Sequence, residues 1–126
     1  MSMSNYLEAK LLEHVTGQAT YQPPGSIWMG LFTDMPTDTG GPEVSSNGYA
    51  RQEVHWKPVT NSRVINNQLI KFPAATAPWG TIRGFGLFDA AVGGHMLFHG
   101  VTSQPVEVNT GITFMVYAEN LVIMLD

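Results

Sequence analysis

Residues 79–100 read WGTIRGFGLFDAAVGGHMLFHG, and the class of this protein turns on them. Gly80, Gly84, Gly86, Gly93 and Gly94 crowd the first part, and His95 and His99 follow. A phosphate-cradling loop needs G-x-G-x-x-G or G-x-x-x-x-G-K-[ST], with a helix directly after it whose N–H groups face the anion. Here Asp89 stands where the third glycine would be needed, and strand character resumes at His95. The physical reading is a β-hairpin: a strand to Asp89, a five-residue connection with glycine at positive φ, and a strand from His95. Gly84 and Gly86 then share one face. Their missing side chains admit a bulky neighbour such as Trp79, or allow a bulge.

The two histidines are four residues apart, as in a helical zinc motif. On a strand that spacing is about 13 Å, whereas one zinc holds its nitrogens at about 2.0–2.1 Å. They are read as separate surface histidines, and no metal or other cofactor is expected. Asp34 and Asp38 do not make an EF-hand either, because Pro36 takes the third ligand position and Ser45 the twelfth. There is no G-x-S-x-G nucleophile elbow, and no residues are nominated as catalytic. The expectation is a protein that is not an enzyme.

Outward from the hairpin, one helix and many strands are expected. Ser4 or Asn5 can cap a helix over about residues 4–16, with Leu7, Leu11 and Val15 at spacing four and Gly17 at its end. Residues 26–33 and 49–56 read as strands, and Asp34 to Gly48 as a turn-rich loop. Residues 63–72 contain Asn66-Asn67, either a tight hairpin turn or part of strands running past it. Residues 81–89, 95–101 and 113–125 complete the set, the last with an interruption at Glu119-Asn120. Seven or eight short strands between turns predict a mainly β fold. It would be an antiparallel, jelly-roll-like β-sandwich or barrel with one short N-terminal helix, forming a single domain over residues 1–126. Ile27, Met29, Leu31, Phe72, Phe85, Leu87, Phe114, Val122 and most of Trp79 are the expected core.

Composition narrows the function. Of 126 residues, 13% are charged, against a norm of about 25%, so the surface is largely neutral and cheap to cover with a partner. The net charge is −4 and the six cations are dispersed, which argues against a nucleic-acid footprint. No apolar run approaches the ~20 residues of a membrane span, and the first residues lack the pattern of a signal peptide. Cysteine is absent, which removes disulfides, thiolate metal sites and a thiol nucleophile.

Three longer blocks carry a resemblance: LFTDMPTDTGGPEVSSNGYARQEV, KFPAATAPWGTIRGFGLFDAAVGG and MLFHG. Together they resemble a family of small tailed-bacteriophage virion proteins, often labelled tail fibre proteins, from about Tyr6 to Leu125. The resemblance implies a β-sandwich virion component made in the host bacterial cytoplasm, and no catalytic residue. Arg83, His95 and His99, if they face a partner, would set specificity. The first functional expectation is a capsid decoration (cement) protein, a homotrimer bound to the major capsid protein on the outer shell. The alternative is a tail fibre, tail-tip or baseplate component bound to tail proteins. A carbohydrate-binding domain using Trp28, Trp56 and Trp79 is a further alternative. The candidate interface residues are Leu7, Leu11, Val15, Arg83, His95 and His99.

Overall fold

A computed structural model describes residues 1–125. In chain order the elements are β1 (Ser2–Met3), α1 (Asn5–Val15), β2 (Ile27–Phe32), β3 (Gln52–Val54), β4 (Arg63–Ile65), β5 (Ile70–Lys71), β6 (Gly80–Phe88), β7 (Met96–Val108), β8 (Met115–Val116) and β9 (Val122–Met124). A five-stranded antiparallel sheet runs β1-β7-β6-β2-β3, and two short antiparallel ladders, β4-β9 and β5-β8, accompany it. The mainly β, sandwich-like class with one short helix is as expected.

The hairpin of the opening stretch is the spine. Strand β6 pairs with β7 from Gly80↔Val108 to Phe88↔Met96, with irregularities beside Ile82/Gly84 and Leu87/Phe88. The connection closes where Asp89 Oδ1 accepts the His95 N–H at 2.7 Å, and Gly93 and Gly94 take φ of 66° and 68°, the left-handed region that glycine enters without steric cost. Strand β7 runs on to Val108, well past the expected end at Val101, because its far half pairs with Gly80–Ile82.

Strand alternation sorts the two faces. Met29 and Leu31 on β2 oppose Leu87 and Phe85 on β6. That face packs with Ile70, Phe72, Phe114 and Leu121 from the short ladders and their flanks into one core. Of the expected core, Met29, Leu31, Phe72, Trp79, Leu87 and Phe114 are buried. Ile27, Phe85 and Val122 are only half-buried, and Ile27 and Phe85 pack at the margin of the core.

The opposite face holds Phe32, Phe88 and Met96. Here the glycine spacing is explained, with a correction. A Cβ at Gly86 would lie 2.9 Å from the rings of Phe32 and Phe88, so these rings, and not Trp79, fill the space. Trp79 instead donates its indole N–H to the Asn47 carbonyl at 2.9 Å. Gly86→Ala should cost about 1–3 kcal/mol, because neither buried ring can withdraw. A lower urea midpoint at unchanged slope checks this.

Three local readings change. The 49–56 strand shortens to Gln52–Val54, since Tyr49 and Arg51 leave the ladder to make side-chain bonds. Residues 63–72 split into β4 and β5, and Asn66-Asn67 is neither a tight turn nor strand interior. The tight hairpin lies instead at Asn61-Ser62, both at positive φ, with Thr60 and Arg63 exchanging backbone bonds of 3.0 and 3.1 Å. Of the two cap candidates the helix uses Ser4, whose hydroxyl accepts the Leu7 N–H at 3.2 Å.

Candidate assembly site

Two built polar features and one open groove organise the surface. The first feature joins the first two of the three sequence blocks. Arg51 grips Glu43 with both ends of its fork: Nε donates to Oε2 and Nη2 to Oε1, each at 2.8 Å. Its Nη1 donates to the carbonyls of Ala90 and Gly93, both at 2.8 Å, on the β6–β7 turn. The guanidinium carbon stands 3.6 Å from the centre of the Phe88 ring, a cation–π contact. Tyr49 donates its hydroxyl to Glu43 and accepts the Leu31 N–H at 3.0 Å. Burial, and then the bond to the Glu43 carboxylate, push the Tyr49 phenol far above its usual range, so it remains protonated and donates. Gly30 makes room, because a Cβ there would meet Glu43 and Tyr49. The cluster clamps the 34–48 loop to the hairpin.

The second feature fastens the N-terminal segment. His99 Nε2 lies 2.7 Å from Asp38 Oδ1, and Asn5 N–H donates to the Asp38 carbonyl at 3.1 Å. His95 stacks on Tyr6 with ring centres 3.9 Å apart and lies 3.3 Å from Asp89 Oδ2. His99 is thus a buried histidine, at 8% exposure, and not the surface residue expected. Cross-strand pairing with Ser2 of β1 covers it. The two histidines engage different carboxylates. Among the described residues no group of three or more His, Asp or Glu side chains could hold a metal ion.

The other candidate interface residues scatter. Leu7 is buried where α1 packs against β7, and Leu11 is half-buried. Val15, the last residue of the helix, is 80% exposed. Arg83 is exposed at the β6 irregularity. The structure does not gather these residues into one patch.

The groove was not foreseen. It has a volume of about 700 Å³ and lies between the far half of β7 and the segment around β8. Phe85, Phe114 and Leu121 line it, and no charged side chain does so among the described residues. Gly100 opposes Phe85, and a Cβ there would press into the Phe85 ring at 2.7 Å, so the glycine lets the ring lie across β7. Val101, Val106, Met115 and Tyr117 stand exposed on its walls. Beyond Gly100 the outer edge of β7 carries no neighbouring strand among the described residues, since β1 reaches only Phe98 and His99. The available signal was TFMVY at 113–117, where both phases of a strand alternation are apolar, the mark of a strand covered on both faces. Phe114 faces the core, and Met115 and Tyr117 face outward.

The described residues thus place a glycine-shaped groove without charged side chains beside an open strand edge. The family described as Podophage GP4 fiber I protein gp80 matches residues 2–124. The chain belongs to this family. It is a structural protein of a tailed-bacteriophage virion. No curated protein matches the chain. The match to the gp80 family spans the clamp, the N-terminal fastening and both walls of the groove. Among the described residues no helix is long and apolar enough to cross a membrane.

Proposed function

We propose that the chain is a globular component of the podophage fibre, non-enzymatic, that self-associates through the uncharged groove and joins tail proteins. The observation that carries this reading is the family match over residues 2–124, whose description names a fibre protein. The groove supports self-association in particular. A chain with net charge −4 repels its own copies, so a contact between copies is favoured where no acidic side chain is apposed, and no charged side chain lines this groove among the described residues. The open edge of β7 adds unpaired backbone groups of the kind that template strand pairing between chains. A trimer is the expected state, since rotational closure satisfies every copy's groove at once.

Capsid decoration is the second reading. It is favoured by the compact β fold, which shows no heptad run or repeat of the kind that builds a shaft. Copy number separates the two. In purified particles a fibre component should be a small fraction of the major capsid protein by quantitative mass spectrometry, and a shell-wide decoration should approach it. Val101→Glu with Met115→Glu should convert the oligomer to monomer in sedimentation experiments while far-ultraviolet circular dichroism stays unchanged. A wild-type chain that sediments as a monomer would refute the self-association.

A further inference from the structure

Trp28 is the one tryptophan that the fold does not use. Trp79 is 6% exposed and its indole N–H is bonded, and Trp56 packs against the main core. Trp28 is half-buried, yet among the described residues it belongs to neither apolar cluster and to no aromatic pair. Its indole nitrogen has no protein partner there, and no buried side-chain nitrogen or oxygen is left unpaired, so this N–H opens to solvent. Tryptophan carries a large apolar area with one polar handle. A ring that is half-open with a free donor is the form it takes at binding surfaces.

Its surroundings are specific. Trp28 sits opposite Glu53 on β3 and walls a cleft of about 340 Å³ that is also lined by Gln52, His55, Gln68 and Lys71. This places a flat apolar face beside a carboxylate, two amides, an imidazole and an ammonium. The cleft is at the small end of ligand pockets. The ligand that satisfies it has an apolar face for the indole and a rim of groups that both donate and accept, because Glu53 only accepts, Lys71 only donates, and the Gln68 amide does both, while the Gln52 amide nitrogen is already bonded to the Ala50 and Arg51 carbonyls. An anion would meet Glu53, a cation would meet Lys71, and an apolar ligand would leave the rim unpaired.

We infer that the Trp28 cleft binds a pyranose unit of a saccharide, with one C–H face of the sugar on the indole and its hydroxyls shared among Glu53, Gln68 and Lys71. The site does not depend on where in the virion the chain sits, so its failure would leave the fibre reading standing. In ¹⁵N-labelled protein the three indole N–H resonances are resolved by NMR, and Trp28→Phe identifies the one from Trp28. The probes are the methyl pyranosides of glucose, galactose and rhamnose together with N-acetylglucosamine, and sorbitol is the open-chain control. At least one pyranoside should shift the Trp28 signal saturably while the Trp56 and Trp79 signals stay fixed. Glu53→Gln and Lys71→Met, both at exposed positions, should weaken that binding about tenfold each, the loss of one charge-assisted hydrogen bond. The inference is overturned if no pyranoside moves the Trp28 signal, if sorbitol moves it equally, or if both rim variants bind as the wild type does.

Discussion

Arg51→Ala should lower the stability of the fold by about 3–5 kcal/mol, the cost of breaking a buried ion pair by removing one partner. The Arg51 side chain is only 9% exposed. Its loss leaves the Glu43 carboxylate with the Tyr49 hydroxyl as its remaining side-chain donor. The Ala90 and Gly93 carbonyls lose their guanidinium donor at the same time, and Phe88 loses the cation over its ring. Replacing Glu43 and Arg51 together by Gln and Met should cost less than Arg51→Ala alone, since no charge is then left without its partner. Urea denaturation of the single and double variants measures this directly. A single variant within about 0.5 kcal/mol of wild type, the range of an ordinary surface change, would remove the clamp from the account of the fold.

Asn66→Ala should be comparably damaging. Asn66 is fully buried and its side chain ties three backbone groups together. Oδ1 accepts the Leu121 N–H at 2.9 Å, and Nδ2 donates to the Gln68 and Tyr117 carbonyls at 2.8 and 3.1 Å. Alanine would leave all three without partners in a site closed to water, at about 1–3 kcal/mol each before relaxation. A net loss of about 3–5 kcal/mol follows once the chain partly adjusts. Asn66→Asp should add a pH dependence. A carboxyl facing two carbonyls in a buried site has its pKa raised above the unfolded value of about 3.9. The variant should therefore be most stable below that pH and lose stability as pH rises through the raised folded value. Thermal melts from acid to neutral pH test the slope. An Asn66→Asp variant whose melting temperature tracks wild type across that range would contradict the assigned bonds.

These two residues mark the boundary of what could be read from the chain. The hairpin was legible because its signals are local: alternation up to Asp89, glycines at the turn, and strand character after His95. The helix was legible for the same reason, although its docking was not. Leu7 is buried and Val15 exposed on one apolar stripe, a difference set by the length of sheet beneath the helix and not by the stripe. Arg51 lies in the stretch 49–56 read as a strand, and its role was hidden because its partner Glu43 and the turn carbonyls come together only through the loop between β2 and β3. Asn66 looked like a turn residue by type, whereas tertiary contacts to residues 117–121 hold it in place. Asn61-Ser62 was a missed local signal, as asparagine tolerates positive φ. His99 was placed on the surface because neither β1 nor its bond to Asp38 could be anticipated from alternation.

The groove lay further out of reach. Its walls come from strands that are distant in sequence, and Gly100 gave no hint that it makes space for Phe85 across the ladder. The family match carries the central proposal, that this chain is a fibre component of the virion. Electron microscopy of intact particles labelled with an antibody to this chain tests that claim most directly. The account predicts label confined to the tail, at the fibres. Label spread over the whole capsid shell, or particles that bind none when opened and intact alike, would contradict it.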